Sequence, residues 1–397
     1  MSTTTATTAE ERVSSLCEQL LSELDPRSTP PEEFLGRQYD LGLAWVHFPE
    51  GYGGLGLGPK LQTLINETLA PAGAPNASFR NPIGYGMSAP TIVSHGSEEQ
   101  KQRYLRPLFT GEEVWCQLFS EPGAGSDSAG VSTRAVRDGD EWIVNGQKVW
   151  TTLAHISRFG TLVARTDPDA PKHKGLTHFV IDMQQPGVEV RPLRQMTGEA
   201  EFNEVYFTDA RIPDDERLDA VGEGWRVALT TLMNERVSIG GAVPAKGSGA
   251  ISSAVKAWQD AERKDPAHKE ELLKLWVRAE VFRLTNIRAS QNRKAGTPGP
   301  EGSVGKIASA DLNKDIYAFT MNLLGAEGML YGSYAMERPR NAMGFSTPQK
   351  AFLRSRANSI EGGTTEVMKN IIGERVLGLP GDVRVDKDVP WSKVPRN

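Results

Sequence analysis

The stretch WCQLFSEPGAGSDSAGVSTRAVRDGDEWIVNGQKVWTT, residues 115–152, organises the rest of this sequence. It begins with an apolar run and then enters a loop of small residues, residues 120–127, called here the glycine-rich loop. Two turn sequences follow, Asp138-Gly139 and Asn145-Gly146, and alternating residues around them predict two antiparallel hairpins. A glycine-rich loop leaves backbone N–H groups available to a bound molecule, and Trp150 offers a flat apolar wall.

Composition excludes several classes of protein. The 397 residues can form a large core divided into two or three lobes. The 45 Lys and Arg residues against 50 Asp and Glu residues give a net charge of −5, so no basic surface for nucleic acid is expected. Cys17 and Cys116 cannot form a disulfide scaffold, which fits a reducing compartment. No apolar run approaches the roughly 20 residues of a membrane span, and the polar N-terminus lacks a targeting pattern. We expect a cytoplasmic protein.

Hydrophobic periodicity divides the chain into segments. Residues 1–12 are predicted to be a disordered tail, and residues 13–113 a helical lobe, since Val13, Leu16 and Leu20 recur at helical spacing. Residues 114–221 change to a period of two, which predicts a small antiparallel β barrel or sandwich. Long helical segments return over residues 222–380, and residues 381–397 form a C-terminal tail.

The order of features in the opening stretch resembles the flavin-binding signature of acyl-CoA dehydrogenases. In that family the loop and the strands beside it hold the flavin ring edge and the pantetheine of coenzyme A. By this resemblance Ser126 lies near the substrate and Asp127 fixes the loop. The resemblance assigns the following residues of the two motifs to FAD: Gln117, Phe119, Ser120, Gly125, Trp150, Thr151 and Thr152.

A third motif, RANSIEGGTTEVMKNIIGERVLGLP, covers residues 356–380. Gly362 and Gly363 precede a predicted helix whose N-cap is Thr364, and a helix N-terminus attracts the electron-rich edge of a flavin. The resemblance places Thr364, Thr365 and Glu366 against FAD and Gly363 beside the substrate. Leu324-Gly325 resembles a segment that meets the FAD of a neighbouring subunit.

The position of the catalytic base departs from most of the family. Most relatives carry a Glu where this chain has Gly362, which cannot take a proton. A minority place it on the first helix of the C-terminal bundle, just before an Arg, and this chain has Glu235-Arg236 there. We therefore expect Glu235 to be the catalytic base and Arg236 to contact substrate. On a helix, small or apolar residues share the face of Glu235: Ala228, Thr231, Leu232, Ser238, Ile239 and Ala242. A partly exposed Glu235 beside Arg236, or Glu361 as the base, are the alternatives.

The resemblance implies an α+β multidomain protein with the acyl-CoA dehydrogenase fold: an N-terminal helical domain, a middle antiparallel β domain and a C-terminal four-helix bundle. It implies FAD-dependent oxidation of an acyl-CoA to the trans-2-enoyl-CoA, with electrons passing to an electron-transfer flavoprotein. A tetramer is implied, either a homotetramer or a heterotetramer with a related chain. The family's Arg-Phe-Gly sequence for the FAD pyrophosphate is missing from residues 260–276. The chain is thus similar to divergent actinobacterial enzymes that handle bulky or steroid-derived thioesters.

Two other functions stay open at this point. One is a flavin acyl-CoA oxidase of the same fold, and the other is a non-catalytic or partner-dependent subunit of a heteromeric dehydrogenase. No metal site is expected, because the six histidines have no ligand spacing such as HExxH. No residue in the sequence indicates the length or branching of the acyl group.

Overall fold

The computed structural model describes residues 8–240, 245–262, 264–294, 299–340, 347–383, 386 and 388–395, without the side chains of residues 235–240, 293–294 and 301. The N-terminal lobe is helical, as predicted. Its core joins aromatic residues such as Trp45 and Phe109 to Trp115 of the next lobe. The helices are α1 (Ala9–Glu23), α2 (Pro31–Asp40), α3 (Leu61–Ala72), α4 (Ala77–Arg80), α5 (Ala89–His95) and α6 (Glu98–Thr110).

Helix α1 starts inside the segment that was predicted to be disordered. Thr8 accepts a hydrogen bond from the backbone N–H of Glu11, and the Glu11 carboxylate accepts one from the N–H of Thr8. This reciprocal capping satisfies N–H groups that the first helical turn leaves free. The prediction of disorder was wrong for residues 9–12, because it relied on the polar composition of the segment, and helix α1 starts at Ala9.

The middle lobe is one twisted sheet with the strand order β6-β7-β3-β2-β4-β5-β8, and β1 pairs with β4. Most neighbours are antiparallel, but β4 pairs in parallel with both β1, where Trp115 lies opposite Phe159, and β2. One face forms a core that includes Trp142, Val144 and Phe179. The strands are β1 (Trp115–Leu118), β2 (Arg134–Asp138), β3 (Glu141–Thr152), β4 (Phe159–Arg165), β5 (Leu176–Asp182), β6 (Val188–Pro192), β7 (Phe202–Pro213) and β8 (Arg217–Leu218).

Only one of the two predicted hairpins exists. Asp138 and Glu141 face each other across the turn between β2 and β3, which confirms the first. Asn145-Gly146 is not a turn, because it lies inside β3 at a bulge opposite β7. Gly146 has a φ of 152° there, and a Cβ would meet the Thr133 hydroxyl at 2.5 Å. The glycine is therefore used for a close backbone approach, a role that its sequence context does not distinguish from a turn.

The C-terminal lobe is a helical bundle, so the predicted fold class is confirmed. Its core lies between α8, α9 and α10, where Ile251, Leu275 and Phe319 are buried together. None of the described helices is long and apolar enough to cross a membrane. The helices are α7 (Gly224–Gly240), α8 (Ala250–Asp260), α9 (Pro266–Lys294), α10 (Glu301–Leu324), α11 (Pro348–Ser355) and α12 (Thr365–Arg375).

Candidate active site

The glycine-rich loop is held by a buried ion pair. Lys148 donates hydrogen bonds to Glu121 (2.8 Å) and to the carbonyl oxygen of Phe119 (2.9 Å), and its side chain is fully buried. The Glu121 carboxylate also accepts bonds from the backbone N–H groups of Ser132 (2.7 Å) and Thr133 (2.9 Å). One carboxylate thus joins the loop, strand β3 and the chain before β2.

The charge state of this pair follows from its surroundings. Burial opposes ionisation of Glu121, but the Lys148 charge and the N–H donors outweigh it and lower the pKa of Glu121 to about 2. Burial lowers the pKa of Lys148, and Glu121 opposes that shift. Both side chains are therefore charged, and their ion pair holds the first residues of the glycine-rich loop. Above it the loop backbone is open, since a Cβ on Gly123 or Gly125 would meet no heavy atom within 4 Å.

The second motif joins the first through the backbone. The N–H of Val149 donates to the carbonyl oxygen of Ser120 at 2.9 Å. Trp150, with a φ of 59°, is 56% exposed and meets the Phe202 ring edge-on at 5.6 Å. The Thr151 hydroxyl is buried and has no hydrogen-bond partner among the described residues. An exposed indole and a buried hydroxyl without a partner thus follow each other in the sequence.

The third motif begins α12 as predicted. Gly362 and Gly363 have φ values of 59° and 88°, a backbone conformation that favours glycine. The Thr364 hydroxyl accepts from the N–H of Val367 at 3.1 Å and caps the helix. Thr365 is buried on the first turn, while Glu366 is exposed.

A buried arginine connects the second and third motifs. The Arg354 guanidinium lies 5.9 Å from the Phe202 ring, which itself supports Trp150. The same guanidinium donates to the Glu361 carboxylate at 2.6 Å, and Asn358 donates to the other oxygen at 2.8 Å. Arg354 therefore connects Phe202, which contacts Trp150, to Glu361, the residue just before Gly362. Glu361, the alternative base, is already bound on both carboxylate oxygens.

Helix α7 places one face against the other two lobes. Ala228 packs in one cluster with Phe119 and Ala124 of the loop region. Thr231 is buried, and its hydroxyl lies 2.9 Å from that of Thr91 on α5. Met233, on the opposite face, is 67% exposed. The face that carries Glu235 therefore points into the molecule over the turns before it.

A histidine fixes the start of α7. His95, at the end of α5, lies 3.0 Å from the Asp219 carboxylate through Nδ1 and 2.8 Å from the Thr230 hydroxyl through Nε2. Asp219 itself has a φ of 72° and donates its N–H to the carbonyl oxygen of His95. Arg226 donates to the same carboxylate. This node joins α5, the residue after β8 and the first two turns of α7.

Comparison with known proteins settles the family. Residues 3–112, 116–210 and 222–377 match the N-terminal, middle and C-terminal domains described for acyl-CoA dehydrogenases. The chain is 37% identical over 344 residues to acyl-CoA dehydrogenase IpdE1 of Mycobacterium tuberculosis, covering 86% of each chain. The protein belongs to the acyl-CoA dehydrogenase family.

Two further comparisons match mycobacterial proteins. The chain is 39% identical over 342 residues to FadE34 of Mycobacterium tuberculosis, covering 86% of this chain but only 45% of that longer relative. The crystal structure of the ChsE4-ChsE5 complex from the same organism shares 27% identity with a TM-score of 0.70, covering 96% of this chain and 100% of that one. The family resemblance drawn from the sequence is thereby confirmed.

Members of the acyl-CoA dehydrogenase family normally bind FAD, and residues of this chain fit that group. The Thr151 hydroxyl is buried without a partner in the described part of the chain, and the preceding residue, Trp150, exposes its ring. The N–H groups at the start of α12 favour an electron-rich ligand. The open space around Gly125 leaves room for close approach to the backbone. These residues could hold FAD.

The remaining predicted residues lie in several places. Gln117 is half-buried on β1 opposite Thr161, and Ser126 is exposed at the loop tip. Leu324 ends α10 and Gly325 caps it with a φ of 55°, beside a surface depression that Trp150 does not line. Glu235 and Arg236 belong to α7, but their side chains are outside the described residues.

Sequence reasoning missed two important side chains. Lys148 lies an even number of residues after Trp142 and Val144, which are buried on the same strand. Because side chains alternate between the two faces of a strand, this spacing predicts that Lys148 points inward. Arg354, whose side chain is 5% exposed, had no such indication, because α11 is short and its buried face is not apolar. Its partners became visible only in three dimensions.

Proposed function

We propose that this acyl-CoA dehydrogenase family member oxidises an acyl-CoA thioester to the trans-2-enoyl-CoA with FAD as cofactor. The observation that supports this most directly is the contact between the motifs. The Ser120 carbonyl accepts from Val149, and Trp150 rests on Phe202, which lies beside Arg354. One continuous set of contacts thus holds the glycine-rich loop, the tryptophan wall and the residues before α12.

In the proposed mechanism Glu235 takes the α-proton of the thioester. The thioester carbonyl acidifies the α-carbon, so this proton can leave to a carboxylate while the β-hydrogen leaves with its electron pair. FAD, when bound, supplies the acceptor for that hydride. Backbone N–H groups stabilise the negative charge that develops on the thioester oxygen. On α7, position 235 shares the face of Ala228, which packs with the loop region, and of Thr231, whose hydroxyl meets Thr91 on α5.

The proposal is tested by the colour and chemistry of the purified protein. We expect a yellow protein that releases intact FAD on acid or heat treatment, since no covalent attachment is proposed. A panel of straight, branched and steroid-linked CoA thioesters should contain at least one that bleaches the flavin absorbance. Recovery of FMN, or of no flavin after reconstitution, contradicts the proposal. Rapid reoxidation by dioxygen identifies an oxidase instead, and flavin that no thioester reduces identifies a non-catalytic subunit.

We further propose electron-transfer flavoprotein as the electron acceptor and a tetramer as the assembly, formed with copies of this chain or with a related chain. Helix α9 supports the assembly, because apolar side chains on one stripe of it remain between 54% and 59% exposed. Such a contiguous stripe is unusual on a monomer's surface. The residues of the stripe are Leu273, Val277, Val281 and Leu284.

Light scattering should therefore give a mass well above the 43.3 kDa of one chain, and about four times that value if the tetramer contains copies of this chain alone. Replacing Val277 and Val281 by Glu should dissociate the assembly, because two charges would be buried against an apolar partner surface. Val136→Glu is the control, since this exposed valine lies on β2, away from the stripe. A stable wild-type monomer that is loaded with FAD and active contradicts the proposal.

A further inference from the structure

The end of the described chain packs on the β lobe instead of projecting as a free tail. Residues 388–395, called here the Trp391 segment, run beside the loop between β4 and β5. The N–H of Trp391 donates to the carbonyl oxygen of Ala170 at 2.9 Å, and that of Ser392 to Pro168 at 2.8 Å. The Trp391 side chain is buried. Backbone pairing and a buried indole together anchor this segment.

The Trp391 indole packs over the Arg165 guanidinium, which binds the backbone just after the glycine-rich loop. The buried Arg165 donates to the carbonyl oxygens of Ala129 (2.6 Å) and Val131 (3.1 Å). The Trp391 ring lies 4.5 Å from the Arg165 guanidinium carbon, and its Nε1–H donates to the Gly130 carbonyl at 3.3 Å. Trp391 thus contacts both the residue that fixes residues 129–131 and that backbone itself.

A lysine makes a second connection, closer to the loop. Lys172 binds the Asp127 carboxylate at 3.0 Å and also binds Asp386, just before the Trp391 segment. Burial opposes its charge, but Asp386 and Asp127 together raise the pKa of Lys172. One ammonium group is therefore shared between the end of the glycine-rich loop and the end of the chain.

We propose that the Trp391 segment positions the glycine-rich loop, with Trp391 and Lys172 as the positioning residues. Two independent contacts reach the same short stretch, Trp391 at residue 130 and Lys172 at residue 127. A flexible glycine-rich loop loses entropy on ordering around a ligand, and a segment that holds it in advance removes part of that cost. The consequence for catalysis rests on the proposed function, in which this loop contacts coenzyme A. If the loop contacts coenzyme A, the Trp391 segment strengthens substrate binding more than it speeds the chemical step.

Hydrogen exchange on the full chain tests the positioning itself. Trp391→Ala should speed exchange at the N–H groups of Gly130, Ser132 and Thr133 by roughly tenfold, because the cation–π contact and the burial of the ring are lost. Trp391→Phe keeps a ring over Arg165 and should show a smaller change. Lys393→Ala is the matched control, since Lys393 is exposed on the same segment and should leave the exchange unchanged.

Steady-state kinetics then test the consequence. Trp391→Ala and Lys172→Met should raise KM for acyl-CoA several-fold with a smaller change in kcat. Exchange rates at residues 130–133 that match wild type in both variants overturn the proposal. If wild type oxidises no thioester, the proposed function fails, whereas the exchange result still decides the role of the segment. Should Trp391→Ala not fold, Trp391→Phe and Lys172→Met provide the same comparison.

Discussion

Replacing Glu235 by Gln should slow reduction of the flavin by acyl-CoA by roughly 10²–10⁴-fold, the usual contribution of a positioned general base. The amide keeps the shape of the carboxylate but cannot take the α-proton. Glu235 follows Ala228 by seven positions and Thr231 by four, so its position on α7 lies on the same helix face as these two buried residues. FAD content and substrate binding should be retained, which separates loss of chemistry from loss of the site.

Stopped-flow measurement of flavin bleaching, with Glu361→Gln alongside, decides this assignment. Glu361 is bound by Arg354 and Asn358, so its amide variant should affect stability more than the chemical step. A near wild-type rate for Glu235→Gln together with a slow Glu361→Gln would show that Glu361 is the base. Two near wild-type rates would show that neither carboxylate is the base.

Replacing Lys148 by Met should lower the free energy of unfolding by about 3–5 kcal/mol, the cost of leaving one partner of a buried ion pair unpaired. Glu121 would keep its bonds from the N–H groups of Ser132 and Thr133 but would be buried without its counter-charge. The double variant Glu121→Gln, Lys148→Met should recover much of the loss because no unpaired charge remains. Urea unfolding followed by tryptophan fluorescence measures each free energy. Lys256→Met, which removes an exposed pair with Asp260, should change it by less than about 1 kcal/mol.

The Glu121–Lys148 pair also makes the free energy of unfolding depend on pH in the acid range. The pKa of Glu121 is about 2 in the folded chain, below the roughly 4.3 of an unfolded glutamate. A carboxyl with a lowered folded pKa contributes stability above its unfolded pKa and loses it as the pH falls through the folded value. Wild type should therefore lose more stability than the double variant between about pH 4 and pH 2. Equal losses in the two proteins would contradict this role of Glu121.

Local features of the sequence predicted much of this fold. Alternation and the Asp138-Gly139 turn predicted β2 and β3, and the glycines before Thr364 predicted the start of α12. These predictions succeeded because each depends on a few adjacent residues. The Asn145-Gly146 prediction failed because glycine is favoured both in a turn and where another backbone comes close, and the pairing with β7 decides between the two.

The site was only partly predictable, for a different physical reason. Motifs identified the loop, Trp150 and Thr364. The residues that hold these parts together are distant from them in the sequence, so no local pattern indicates the contacts. Lys148 meets Glu121 over 27 positions, and Arg354 meets the Phe202 ring from another lobe. Similarly, Trp391 was assigned to a tail because no periodic pattern shows that a segment packs beside the loop between β4 and β5.

The node around His95 has a consequence for evolution and engineering. It joins side chains from three lobes: His95 from the first, Asp219 from the end of the second and Thr230 from the third. A chimaera that exchanged the first lobe for that of a relative would have to carry a residue that bonds both partners, or α7 would lose its orientation. The lobes are thus not interchangeable modules, and substitutions at these three positions should be inherited together.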